Sequence, residues 1–485
     1  MPVIDLGTLQ MYIDGRWVSA SAGAAQPVIN PATEAVIATV PSATSSDVDA
    51  AVAAARKALT GAWGQMSARE RGRLIWKIGQ ELMNRADQVG RLETLHNGKP
   101  IFESRQIDIP AAAECLEYYA GWADKIHGET IPVKGAYLTY TLREPVGVVA
   151  AIVPWNFPLL LAIWKVAPAL ACGNTVILKP ASQTPLTALA LAEIAHDVGL
   201  PPGVLNVVTG RGSQVGPLLV AHPGIDKIAF TGDTSTGREI MRGSADTVKR
   251  ITLELGGKSP NIVFADADLD AAIRGATLGI FYGKGEVCAA GSRLLLDRSI
   301  KDEFIDKLVA RTNKIRPGDP LDPKTRLGAL SSQAQFERVL AYIETGSREG
   351  GALVAGGKRA DIGTGKGYFI EPTVFANVAP EMTIAREEIF GPVLAVIDFE
   401  GEDEAVARAN QSDYGLAAAV WTRDIKKAHR VARRVQAGTV WVNTYNVYDT
   451  AAPFGGYKLS GFGREMGQHA LDSYMQVKTV MVDLS

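Results

Sequence analysis

From Val146 onward the chain alternates short apolar runs with helix-like stretches, and this alternation narrows the fold more than any other feature. The runs 146–153, 175–178, 205–209, 227–230 and 251–253 read as strands with helices between them. Parallel strands need a crossover to return, and helices in those crossovers bury both faces of the sheet. The expected class is therefore α/β, with a doubly wound parallel sheet whose ligands sit at the carboxyl ends of its strands. A second α/β unit starts near Pro260-Asn261-Ile262-Val263-Phe264. Helical stretches around 300–312 and 333–344 follow, then a glycine-rich connection over 350–367.

The region before this core is less regular. Residues 11–18 suggest a hairpin, followed by a loop through Asn30-Pro31. Ser45 or Ser46 is placed to cap a helix through Leu59, Ser67 one carrying Leu74, Ile75, Ile78 and Leu82, and Ile109-Pro110 to open a third. Residues 127–144 read as a β-hairpin and 476–482 as a further strand. These segments suit an intersubunit arm, because an unpaired edge invites another chain, and equally suit ordinary edge strands.

At 485 residues the chain exceeds one ordinary core, so two or three domains are expected. Its 50 basic and 52 acidic residues leave a formal charge of -2, which gives no broad field for nucleic acid or an anionic membrane. Small-molecule chemistry is the better expectation. Residues 145–164 carry no charge over 20 positions, the length of a spanning helix, but Pro154, Asn156 and Pro158 interrupt them. No membrane span is read there. The N-terminus shows no basic region before an apolar stretch, and the three cysteines have neither disulfide nor zinc spacing. A reducing, cytoplasmic location is expected, with no metal site.

The cysteines differ in neighbourhood. Cys115 and Cys172 lie among apolar residues and read as core, whereas Cys288 follows Gly283, Gly285, Glu286 and Val287 and precedes Ala289-Ala290-Gly291. Small neighbours leave room for a substrate beside a nucleophilic thiol. Glu254 ends a strand before Gly256-Gly257-Lys258; it is a candidate general base or a partner for Lys258. Asn156, between Trp155 and Phe157, is a candidate oxyanion donor or a turn residue. Two glycine patterns compete for a phosphate: Gly210-Arg211-Gly212 with Gly216, and the Thr231–Gly237 turn, where Asp233 also suits a helix N-cap.

Taken together and in this order, the motifs resemble those of the aldehyde dehydrogenase superfamily over nearly the whole chain. They are Pro154-Trp155-Asn156-Phe157-Pro158, Leu178-Lys179-Pro180-Ala181-Ser182, Phe230-Thr231-Gly232 to Gly237, Leu253 to Lys258, the Cys288 loop, Glu388-Ile389-Phe390-Gly391-Pro392 and Pro453-Phe454-Gly455-Gly456. The resemblance implies Cys288 as nucleophile, Glu254 as general base, and Asn156 with the Cys288 amide as oxyanion donors, with Lys165 and Glu465 handling protons. It implies NAD or NADP held by Trp155, Lys179, Ser182, Thr231, Gly232, Thr234, Gly237, Glu388 and Phe390, and no metal for catalysis. The reaction implied is oxidation of an aldehyde to its acid through a cysteine thiohemiacetal and thioester. The alternatives are a coenzyme A-acylating semialdehyde dehydrogenase and a catalytically silent binding protein on the same fold.

Three departures mark this chain: Asp233 where the family usually has serine, Gly283-Lys284 where it commonly has Asn-Gln, and Ser182 where strongly NAD-selective members often carry glutamate. Serine removes a repulsion toward a 2′-phosphate, so NADP is expected to be tolerated. A substrate tunnel is expected from Phe157, Leu160, Leu161, Trp164, Phe281, Tyr448 and Phe454, suited to apolar, aromatic or amino aldehydes. The expected division is a Rossmann-like cofactor domain over 1–126 and 145–254, a catalytic domain over 255–452, and oligomerisation segments at 127–144 and 453–485. A homodimer or homotetramer is expected from those segments.

Overall fold

The apolar runs pair side by side in one ladder in the computed structural model, which describes residues 5–485. Residues 1–4 of the N-terminal stretch read above lie outside the described residues. Val148–Ile152 is the central strand, with Thr175–Lys179 parallel on one side and Lys227–Thr231 parallel on the other. Arg250–Glu254 and Leu205–Val207 extend the ladder outward, again in parallel. All residues of the three central strands are buried, which is why their middle positions are apolar on both faces rather than alternating. The hairpin Met11–Ile13 and Arg16–Val18 closes one edge, antiparallel at Tyr12 and Val207. Gly461–Phe462 close the other against Leu253 and Glu254, giving eight strands.

A second sheet has seven strands, in the order Ala352–Ala355, Thr373–Ala376, Val393–Phe399, Arg293–Asp297, Pro260–Val263, Ala417–Trp421 and Thr439–Val442. Only its first pair is antiparallel. Outside both sheets, Met475–Asp483 pairs antiparallel with Tyr137–Pro145, which also pairs with Thr130–Ile131. The two segments read as a candidate arm thus meet in one three-stranded sheet that leaves Tyr137, Leu138, Leu142, Val477 and Met481 exposed. Residues 453–485 are divided between elements, because Gly461–Phe462 belong to the first sheet.

The structure differs from the sequence reading before residue 127. Residues read as a loop form the hairpin Ala25–Asn30 and Ala35–Pro41, whose buried positions include the polar Gln26 and Asn30 and so hide its period. The first long helix, Ser45–Thr60, is capped by Thr44 in a capping box with Asp47, not by Ser45 or Ser46. Ser67 caps Ala68–Asn84 as expected. The helix Ala86–Asn97 was not expected. Ile109-Pro110 opens the α-helix Ile109–Trp122 as expected, but a π-helical turn, Ser104–Asp108, runs straight into it, and Pro110 lacks the N–H a regular turn would use.

Asn174 ties these parts together from the amino ends of the central strands. Its Oδ1 accepts from the Gly147 amide at 2.9 Å, and its Nδ2 donates to the carbonyls of Ala169 at 3.0 Å and Tyr474 at 2.9 Å. Replacing Asn174 with Ala leaves these buried groups unpaired. The variant should lose about 1–3 kcal/mol of stability, read as a lower thermal unfolding midpoint.

Candidate active site

The carboxyl ends of the central strands open onto a cavity of about 870 Å³, and the loop carrying Cys288 forms part of its wall. Strand register decides what reaches it. Thr231 lies opposite Glu254 and Ile152 opposite Lys179, so the chain leaving each strand enters the same space. Asn156, Glu254 and Cys288, far apart in sequence, all line that wall.

The Cys288 loop is built on a helix that cannot continue. Leu269–Phe281 ends in a tight turn in which Gly283 and Lys284 both adopt left-handed backbone, φ 56° and 65°. Tyr445 holds the far side, its hydroxyl donating to the Ala289 carbonyl at 2.8 Å. The loop also packs close to Gly257, where a side chain would strike the Cys288 carbonyl. Cys288 keeps part of its surface open, unlike the buried Cys115 and Cys172. Burial pushes its thiol well above the usual cysteine range, and the carboxylates of Glu254 and Glu388 push it further, while the Ala289 amide opposes them. Asn156 donates from Nδ2 to the Glu286 carbonyl at 2.9 Å, which commits one of its two N–H groups and leaves the other free.

Glu254 is 3% exposed, and neither carboxylate oxygen has a hydrogen-bond partner among the described residues. Burial therefore raises its pKa well above the usual carboxylate value, with Glu465 adding and Lys165 opposing. The alternative pairing with Lys258 is not formed: Lys258 Nζ has no partner among the described residues, and burial lowers its pKa to about 7. Behind Glu254, Lys165 pairs with Glu465 and donates to Thr231 Oγ1 at 2.6 Å. Neither of these two residues is part of the cavity lining.

Most of the expected cofactor residues line the cavity: Trp155, Lys179, Ser182, Thr231, Gly232, Glu388 and Phe390. Both glycine patterns do so as well, since Gly212 and Gly216 form part of the same wall. Thr234 and Gly237 do not. The Thr234 hydroxyl turns to the Leu459 carbonyl at 3.4 Å, and Gly237 packs against Leu255. Thr236 and Glu239 occupy the wall instead. Asp233 caps the helix Thr234–Ser244, accepting from the Thr236 amide at 2.9 Å. Glu388 accepts from the Gly257 amide at 2.9 Å, and burial raises its pKa to about 7. A side chain on Gly256 would drive that carboxylate away.

The seven tunnel residues lie outside the main cavity. Trp164, Tyr448 and Phe454 form an edge-on run with ring centres 5.6 Å apart at each step, and Phe157 stacks on Tyr282 at 6.1 Å. Tyr448 keeps part of its surface open at the end of this run. Phe281 and Leu161 are core residues, 3% and 4% exposed. Leu160 is half-buried against the same core.

Several site residues had no sequence signal. Gln335 donates to the Phe390 carbonyl at 2.5 Å, where Phe390 is itself left-handed at φ 62°, and Arg338 donates to the Glu388 carbonyl at 2.9 Å. Both come from a helix surface whose polar residues look ordinary in sequence. Among the described residues, no group of three His, Cys, Asp or Glu side chains gathers as a metal site.

Comparison with known proteins agrees with this geometry. The model of the aldehyde dehydrogenase family matches residues 17–480. The human mitochondrial aldehyde dehydrogenase is 48% identical over 476 residues, 98% of this chain and 92% of the relative. Human retinal dehydrogenase 2 is 47% identical over 487 residues, 100% of this chain and 93% of the relative. The NAD+ complex of an aldehyde dehydrogenase from Bacillus cereus superposes with a TM-score of 0.97 at 50% identity, covering 99% of this chain and 97% of that one. The chain therefore belongs to the aldehyde dehydrogenase family, and it is an oxidoreductase that converts an aldehyde to its carboxylic acid with NAD(P).

Proposed function

We propose that Cys288 is the nucleophile of this oxidation, Asn156 its oxyanion donor and Glu254 the base that makes the enzyme hydrolytic. The thiolate adds to the aldehyde carbon, and the oxyanion is held by the free Asn156 N–H and the Cys288 amide. Bound NAD(P)+ supplies the acceptor for the hydride that leaves this carbon. The thioester left on Cys288 is attacked by water whose proton passes to Glu254, releasing the acid and the thiol. Lys165 and Glu465, paired behind Glu254, would return that proton toward solvent.

The observation that carries this reading is the buried, unpartnered carboxylate of Glu254 on the same wall as Cys288. It favours hydrolysis over acyl transfer to coenzyme A, and the joint placement of Cys288, Glu254 and Asn156 disfavours a silent binding protein.

The wall suits a dinucleotide: the bare backbone of Gly256 leaves room for the Glu388 carboxylate, and among the described residues Lys179 bonds only its neighbour's carbonyl, Pro180, at 3.0 Å. With Trp155, Ser182, Thr231, Gly232 and Phe390 it would hold the two riboses and the nicotinamide. Ser182 spends its hydroxyl on Gln183 at 3.1 Å and carries no charge against a 2′-phosphate. Tolerance of NADP follows, and no metal is needed for these steps. Asp233 stays committed to its helix cap, with no phosphate contact assigned to it.

The aromatic run Trp164, Tyr448 and Phe454 favours an apolar, aromatic or amino aldehyde; the similar retinal dehydrogenase is named for one apolar example. The three-stranded sheet would join subunits into a dimer or tetramer through its exposed apolar residues. The units 1–126 with 145–254, and 255–452, then serve cofactor and catalysis. The free cysteines suit a cytoplasmic setting, and no helix among the described residues is long and apolar enough to cross a membrane.

Replacing Glu254 with Gln should preserve the burst of reduced cofactor while slowing turnover roughly 10²-fold, as acyl-enzyme accumulates. Mass spectrometry of quenched enzyme checks this; no accumulation removes the general-base role. In the unaltered enzyme, burial holds both the Cys288 thiol and the Glu254 carboxyl protonated beyond their usual ranges. Both steps need the deprotonated form, so burst rate and turnover should rise with pH.

The efficiency with NADP should lie within roughly tenfold of that with NAD, about 1.4 kcal/mol. Burial lowers the pKa of Lys179 to about 8, so its attraction for the 2′-phosphate should fade as pH rises past that value. A strong preference for NAD at every pH overturns this. Deleting residues 476–485 should reduce the oligomer to smaller species in sedimentation velocity.

A further inference from the structure

The Cys288 loop and the Asn156 turn are both held from behind by a buried charged layer that the chemistry above does not use. It contains Glu93, His96, Lys99, Glu103 and Asp108 together with Lys284 and Glu286, none more than 3% exposed. Several of its members grip one side or the other. Glu103 accepts from the Gly283 amide at 3.3 Å, and Asp108 accepts from the Tyr282 hydroxyl at 3.5 Å. Lys99 pairs with Asp108 and lies 4.0 Å over the Phe157 ring.

Lys284 links the two sides through its partners. Its left-handed backbone is a conformation that a long side chain keeps only when surrounding contacts hold it. Its ammonium donates to the carbonyl and to Oδ1 of Asn97, both at 2.8 Å, and pairs with Glu286 at 2.7 Å. Each partner in turn fixes Asn156. Asn97 Nδ2 donates to the carbonyls of Trp155 at 2.6 Å and Asn156 at 3.4 Å, and the Glu286 carbonyl accepts from Asn156 Nδ2 at 2.9 Å. The far end of Glu286 is tied down too, by the Ser331 amide at 3.0 Å.

We propose that Lys284 is a positioning residue for aldehyde oxidation: by joining Asn97 to Glu286, it sets which N–H of the Asn156 amide faces the cavity beside Cys288. This rests on the reading of Asn156 as oxyanion donor. The clamp meets the cofactor wall at the backbone carbonyl of Trp155 and not at its ring, which packs against Phe390, so its effect falls on the addition step.

The clamp also has a pH signature. Glu286 is raised by burial and lowered chiefly by Lys284, with Lys99 the remaining nearby cation. Around Lys284 the other charges are Lys99 and Glu103, with Glu93, His96 and Asp108 beyond Lys99. Without Lys284, the Glu286 carboxyl would stay protonated to higher pH. Above that pH it would stand as an uncompensated buried charge that disturbs the loop.

The test is the pre-steady-state burst in Lys284→Met, with Lys284→Gln as the milder change should the first fail to fold. The expected result is a burst slowed about 10²-fold in the Met variant and about tenfold in the Gln variant, with the NAD dissociation constant unchanged. The defect should deepen as pH rises, and a second change, Glu286→Gln, should remove that pH dependence. In the Asn156→Ala background, Lys284→Met should add almost nothing, since the group it positions is gone. Wild-type burst rates in the Lys284 variants, or a full additive loss on Asn156→Ala, overturn the proposal. If Asn156→Ala alone leaves the burst intact, the oxyanion reading fails first and takes this proposal with it.

Discussion

The site depends on the register of the parallel ladder. With Thr231 opposite Glu254 and Ile152 opposite Lys179, the carboxyl ends of four strands deliver a base, a glycine turn, an amide and a lysine to one rim. A slip of one residue would reverse the faces of an entire strand and bury these groups in the sheet. The complete burial of the central strands makes such a slip expensive, so packing holds the geometry that the chemistry uses.

Desolvation then sets the protonation states. The same burial that anchors the strands leaves Glu254 without a hydrogen-bond donor and raises both its carboxyl and the Cys288 thiol. A carboxylate with a raised pKa is a better proton acceptor near neutrality, and a thiol that resists ionisation is protected until substrate and cofactor are in place. Nearby cations oppose part of the effect: Lys165 lowers the Glu254 carboxyl, and Lys99 and Lys284 lower that of Glu286 behind the loop.

Much of this was legible because the signals were local. The strand–helix alternation, the strand ends at Asn156 and Glu254, and the small residues around Cys288 each lie within a few positions of one another. The reading went astray where the signal was interrupted. A π-helical turn at Ser104–Asp108 shifts the helical phase, so Glu103 and Asp108 do not look like buried residues in sequence. Thr234 and Gly237 stand in a motif that faces the cavity at Gly232 and Thr236, but helical rotation turns them toward Leu459 and Leu255. The tunnel residues Phe281 and Leu161 are apolar by necessity of packing, and apolarity alone did not separate lining from core.

The sequence by itself determined the class of fold, the family it resembles and the residue types that could carry an aldehyde oxidation. Backbone pattern and short motifs depend on near neighbours, so they survive in a linear reading. Only the tertiary structure decided that Lys284 reaches Asn97 across 187 positions, that Glu254 is unpaired, and which members of each motif face the cavity. Burial and charge pairing depend on atoms brought together from distant parts of the chain, and no local window contains them.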